Sequence, residues 1–286
     1  MDTILALPDG RALAYAEFGD PGGKPLFFFH GMPGSRLFRP DDAVTARLGI
    51  RLIGVDRPGY GRSDFQPGRR ILDWPADLAC LADHLGLDRF AVAGHSGGGP
   101  YVSACAWALP ERVKAAAILS GAGPVDAPDA MDGLTGLFGF GLRTGRFIPW
   151  PVWQAFVGVA FRQRALDPAA SADAETGTRP PADEEQFLRP EVREACLRSE
   201  VEAFRCGLQG MAWDARLLTR PWGFHLEEIR VPVLLWHGTA DATTPLAMGR
   251  AVAKRIPGCR ATFCPGEAHL LLFPHWEEIL TALVAN

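Results

Sequence analysis

The stretch Phe90-Ala91-Val92-Ala93-Gly94-His95-Ser96-Gly97-Gly98 decides the fold. Four apolar residues lead into a glycine-flanked serine, and a helical pattern starts near Gly98. A short apolar run bounded by turn residues reads as a strand buried on both faces. A serine on so sharp a strand-to-helix turn is forced into a tight backbone conformation, and neighbours without side chains keep it free of clashes. Its hydroxyl is then presented above the sheet, where the helix N-terminus favours developing negative charge. In a chain with 32 glycines the pattern G-x-S-x-G alone is weak; its place between strand and helix makes it informative. Neither G-x-x-x-x-G-K-[ST] nor G-x-G-x-x-G occurs there, which disfavours a phosphate loop.

Outward from this turn the same rhythm recurs. Leu26 to Phe29, Arg51 to Val55, Ala115 to Leu119, Val233 to Trp236 and Ala261 to Cys264 read as further buried strands. Helical patterns at 36–48, 74–86, 98–109, 245–256 and 273–285 alternate with them, so the fold class is α/β, with a mostly parallel central sheet flanked by helices. At the start, Thr3 to Leu7 and Arg11 to Phe18 flank Asp9-Gly10 and predict an antiparallel hairpin. The rhythm breaks over 122–225, which predicts an inserted helical cap, with 1–121 and 226–286 forming the core. The first half of the insert is rich in glycine and aromatics, and Asp167 to Glu191 in Pro, Ala and acids, which reads as an exposed connection.

Composition narrows the function. At 48% hydrophobic and 22% charged, the 286 residues can bury a sizeable core. Lys plus Arg is 29 against 33 Asp plus Glu, a net charge of −4, so nucleic acid is not an expected partner. No apolar run approaches the roughly 20 residues of a membrane helix. The opening Met1 to Gly10 has no basic segment followed by a long apolar one, so the expected location is cytoplasmic and no membrane partner is expected. The six cysteines lack CxxC pairs and read as reduced. With no HExxH and no paired-cysteine ligand set, neither a metal nor a cofactor is expected.

A serine hydroxyl needs a base to take its proton, and seven histidines are available. His269, in the loop Pro265 to His269 after the last strand, returns towards the strand ends and is the best choice; His275 belongs to the following helix. His84 falls on a mid-chain helix, and His225 and His237 precede the acid. Asp241, closing the small-residue loop after Val233 to Trp236, would hold the imidazole in one tautomer, with Glu267 as the backup acid. His30-Gly31-Met32-Pro33-Gly34 follows the strand ending at Phe29. Pro33 cannot donate, so the N–H groups of Met32 and Gly97 are the expected oxyanion hole. His30 reads as structural. His95 is a candidate substrate contact, as are the aromatics Phe138, Phe140 and Trp153 of the insert, although packing within the insert is their plainer reading.

The chain order Ser96, Asp241, His269, with Asp56-Arg57-Pro58-Gly59-Tyr60-Gly61-Arg62-Ser63 matching D-x-x-G-x-G-x-S, resembles the capped α/β-hydrolase fold of the soluble serine-esterase type over nearly the whole chain. The resemblance implies ester hydrolysis through an acyl-enzyme on a small-molecule substrate. A serine at position 96 disfavours the dehalogenases and epoxide hydrolases, which carry a carboxylate there. Haloperoxidase-like enzymes, carbon–carbon bond hydrolases, lyases and slow-turnover receptors stay open. The insert's aromatics predict an apolar substrate of small to medium size.

Overall fold

Alternating burial explains the sheet. In the run Leu26 to Phe29, Phe27 and Phe29 enter the cluster on one face and Leu26 and Phe28 the cluster on the other. Successive strand side chains point to opposite faces, so a strand apolar throughout must be covered on both. Each fully buried Phe or Leu contributes roughly 1.5–3 kcal/mol relative to exposure. The structure, a computed structural model, describes residues 2–134 and 136–285, without the side chains of Asp2, Pro128, Asp129 and 136–138.

Eight strands, β1 (Asp2–Ala6), β2 (Ala12–Gly19), β3 (Lys24–Phe29), β4 (Ile50–Val55), β5 (Phe90–His95), β6 (Val113–Leu119), β7 (Val233–Gly238) and β8 (Arg260–Cys264), form one sheet in the order β1-β2-β4-β3-β5-β6-β7-β8. β1 and β2 pair antiparallel, as the Asp-Gly turn predicts, and β2 runs antiparallel to β4. From β4 onward all pairings are parallel. Of the helices outside the insert, α2 (Trp74–His84) and α3 (Gly99–Ala108) supply Trp74, Leu78, Leu81, Tyr101 and Val102 to one face. α1 (Asp42–Arg47) and the C-terminal helix Trp276–Val284 cover the other face, chiefly through Trp276, Ile279 and Leu280.

The helix expected over 36–48 is much shorter. Pro40 has no N–H to continue a ladder, Asp41 caps α1 by accepting from Val44 N at 2.9 Å, and Arg36 is buried against Asp56.

Between β6 and β7 the described residues contain helices and no strand: α4 (Gly136–Thr144), α5 (Trp150–Leu166), α6 (Pro168–Ala174), α7 (Pro181–Phe187), α8 (Pro190–Ala203) and α9 (Gln209–Leu218). α10 (Leu246–Arg255) and α11 (Trp276–Val284) follow in the core. The stretch 167–191 is exposed along much of its length, as expected, but is built of helices. Pro168, Pro181 and Pro190 each begin a helix, where the missing N–H costs nothing. Arg164 and Arg179 then bind Glu175 and Glu184 across the turns. Among the described residues no helix is long and apolar enough to cross a membrane.

Candidate active site

Parallel strands end together, and the loops leaving β3, β5, β7 and β8 meet at one rim of the sheet. Ser96 directly follows β5 at φ +55°, a left-handed conformation costly for a residue with a Cβ. Its flanking glycines are obligatory. A Cβ at Gly98 would collide with the Phe29 carbonyl, and one at Gly94 would stand 2.8 Å from Val102 and 2.9 Å from the Gly98 oxygen.

The loop after β7 brings Asp241 to the loop after β8. His269 Nδ1 lies 2.8 Å from Asp241 Oδ2. The carboxylate can only accept, so Nδ1 carries the proton and Nε2 is left with a lone pair. Asp241 also accepts the Thr243 and Thr244 N–H groups at 2.8 Å each, and the Thr244 hydroxyl lies 2.9 Å from Oδ2. Burial raises the Asp241 carboxyl, but the His269 charge and these hydrogen bonds bring it down to about 2. For His269, burial favours the neutral ring, yet Asp241 and then Asp183 outweigh it and raise its pKa. Thr244, whose role sequence reasoning missed, spans the site: its hydroxyl also lies 2.9 Å from the Ser120 carbonyl at the end of β6.

Met32 and Gly97 are neighbours. A Cβ at Gly97 would stand 3.1 Å from Met32 Cβ and 3.7 Å from Met32 N. The loop carrying Met32 is fixed from beneath by Arg57, fully buried, which donates to the carbonyls of His30 and Gly31 and, at 2.9 Å, to Asp214 of α9. Burial keeps His30 neutral, and its Nε2 accepts the Arg57 N–H at 3.2 Å. Gly61 is held against the Asp56 carboxylate, and Ser63 donates to the Asp56 carbonyl at 2.8 Å. The motif from Asp56 to Ser63 thus builds the floor of the loop.

Ser96, Met32, Gly97 and His269 line a cavity of about 620 Å³ that residues of the insert also line. His95 lines it too, as a support: its Nε2–H donates to the His269 carbonyl at 2.9 Å and its ring stacks on Phe38. Burial, reinforced by the His269 charge, lowers its pKa to about 3, so it stays neutral. Two of the other expected contacts, Trp153 and Phe140, are corrected. Trp153 is buried within the insert, its indole N–H donating to the Ala212 carbonyl at 2.9 Å, and Phe140 is 59% exposed. Neither lines the cavity, and the side chain of Phe138 lies outside the described residues.

Phe161, Phe187 and Met211 supply the apolar lining of the insert, beside a charged wall of Arg164, Glu175, Arg179 and Glu200. Arg164 is gripped by Glu200 and Glu175, the latter at 2.5 Å. Asp183 of α7 reaches the loop of His269 and accepts the Leu270 N–H at 2.7 Å; burial raises its pKa. Periodicity could not have found these residues, because a charged side chain on an amphipathic helix reads as solvated. The backup acid Glu267 pairs with His275 Nε2 at 2.8 Å.

The family model described as alpha/beta hydrolase fold matches residues 24–275. A bifunctional esterase/perhydrolase from Acinetobacter calcoaceticus is 26% identical over 97% of this chain and 96% of its own length. A non-heme chloroperoxidase from Streptomyces lividans is 38% identical, but the match spans 44% of this chain and 46% of that protein, under half of each. Among solved structures, a hydrolase from Pseudomonas aeruginosa PA01 superposes with TM-score 0.73 at 21% identity, covering 100% of this chain and 98% of that one.

Proposed function

This chain belongs to the α/β-hydrolase fold family, and on that premise we propose that it cleaves carboxylic esters through an acyl-enzyme on Ser96. The observation that carries the proposal is the 2.8 Å bond from His269 Nδ1–H to Asp241, which frees Nε2 in the cavity that Ser96 enters on its left-handed turn. Nε2 takes the hydroxyl proton as Oγ attacks the ester carbonyl carbon. The Met32 and Gly97 N–H groups receive the oxyanion, a contribution of about 10²–10³ in rate per donor. His269 then protonates the departing alkoxide. Water, deprotonated by the same ring, attacks the acyl carbon, releases the acid and returns Ser96.

Residues 122–225 act in this reading as a lid that selects the substrate. The wall they present supports a small to medium ester with an apolar part against Phe161, Phe187 and Met211 and a hydrogen-bonding part against Arg164, Arg179 and Glu200. This adds a polar part to the apolar substrate expected from the insert's aromatics, since Trp153 and Phe140 do not line the cavity.

A second reading uses the same acyl-enzyme. The names of the Acinetobacter and Streptomyces relatives suggest hydrogen peroxide as an acceptor, which in place of water would give a peracid and free Ser96. The test is a panel of esters and lactones matched in length, with and without a polar end, assayed with pure protein with and without peroxide. Hydrolysis that disappears in Ser96→Ala supports the proposal, and wild-type turnover in that variant overturns it.

A further inference from the structure

Outside the cavity lining, three side chains of different ligating chemistry converge. Cys264 at the end of β8, Glu267 in the loop before His269 and His275 at the start of α11 place one donor atom each within 4.8 Å of one another. Cys264 is buried, and the other two are partly exposed. The His275 ring is held from both sides. Nε2 lies 2.8 Å from Glu267 Oε1 and Nδ1 lies 2.8 Å from Glu278 Oε2, while the Trp236 indole N–H fixes Glu278 at 3.0 Å.

We propose that Cys264, Glu267 and His275 bind one borderline divalent cation, zinc above the others, at a site separate from Ser96. One sulfur, one imidazole nitrogen and one carboxylate oxygen suit zinc, whereas calcium and magnesium take oxygen alone. Around tetrahedral zinc, bonds of roughly 2.0–2.3 Å place donors about 3.2–3.8 Å apart. The cluster reaches that spacing by drawing the thiol in by at most about 1 Å and opening the 2.8 Å imidazole–carboxylate pair by less. A ligating histidine almost always donates its other ring N–H to a carboxylate, a backbone carbonyl or water, and Glu278, itself anchored by Trp236, stands where that acceptor is needed. The partial exposure of Glu267 and His275 leaves the fourth position to water.

The ion would link a strand end, a loop and a helix start that the sheet alone does not join. The loop it grips is that of the base: Gly266 N donates to Thr239 Oγ1 at 2.9 Å and the Glu267 carbonyl accepts Ala240 N at 2.8 Å, next to Asp241. Binding to the folded chain therefore raises its thermal stability.

Equilibrium dialysis of EDTA-treated protein against zinc chloride, with metal quantified per chain, tests this. Wild type takes up one zinc and melts higher with it, and His275→Ala does neither. Glu278→Gln binds at least tenfold more weakly. Cobalt(II) gives a thiolate charge-transfer band that is lost in Cys264→Ser and kept in Cys259→Ser. Circular dichroism checks that each variant is folded. Zinc uptake by folded His275→Ala equal to wild type, no cobalt–thiolate band in wild type, or an ion lost in His269→Ala but kept in His275→Ala would each overturn the site.

Discussion

On the sheet side of the cavity, strand ends hold Ser96 and the loop of His269 through backbone hydrogen bonds and close glycine contacts, and the Arg57 side chain holds the loop of Met32. On the insert side, helices meet it with side chains that pair mostly with one another: Arg164 with Glu200 and Glu175, Arg179 with Glu175 and Glu184. The difference teaches where chemistry and selectivity are written. A serine, a base and an acid need fixed relative positions, and backbone geometry supplies them. Recognition of a substrate tolerates variation in side chains on a scaffold held elsewhere. That holding is also ionic and buried, through Asp214 with Arg57 and Arg69 and Glu202 with Arg36. Removing one partner of such a pair costs about 3–5 kcal/mol.

The division can be broken most sharply at the sheet side. Ser96→Ala should lower ester kcat/KM by roughly 10⁵–10⁶-fold, with His269→Ala nearly equal and the double variant no worse, because the residues act as a unit. Thermal melting should be unchanged. Additive losses in the double variant would show that the two do not share one step. Asp241→Asn should cost about 10⁴-fold, since the amide can hold the ring in the wrong tautomer.

On the insert side the effects should be smaller and should depend on substrate. Phe161→Ala or Glu200→Gln should change the ratio of kcat/KM between esters with apolar and polar ends by about 10-fold, the scale of one to three kcal/mol in a pocket. A ratio unchanged in both would show that the insert does not read the substrate. Asp183→Asn bridges the two walls. The charge of Asp183 raises the His269 pKa, and the base works only when neutral, so its loss should move the acid limb of the kcat/KM profile to lower pH. The neutral-pH rate should change by less than about tenfold. An unmoved limb would mean that the carboxylate serves only to hold Leu270 N.

The weakest effects belong to the aromatics outside the cavity. Phe140→Ala should leave every substrate ratio within about twofold, whereas Trp153→Ala should cost roughly 3–5 kcal/mol in stability without reordering substrates. A reordered ranking in Phe140→Ala would mean that α4 moves onto the cavity during turnover.

The parallel strands, the opening hairpin and the tight turn at Ser96 were legible in the residues, because each depends on short-range rules: apolar runs, Asp-Gly, and glycines where a Cβ would collide. The loops bearing Asp241 and His269 were legible because parallel strands end at one rim. Only the tertiary structure decided what the insert does. Glycine and aromatic serve one another there, since a Cβ at Gly145 would stand 2.7 Å from the Trp153 ring. The stretch 167–191, exposed along much of its length, still brings Glu175, Arg179 and Asp183 to the cavity and sends Asp183 to Leu270, 87 residues away. Thr244, Asp183 and the cluster of Cys264, Glu267 and His275 have ordinary sequence surroundings. Asp183 and Thr244 also bond partners 87 and 124 residues away, and the loop and helix start that bring Cys264, Glu267 and His275 together have no period of their own, so neither kind of pairing leaves a periodicity for a sequence to display.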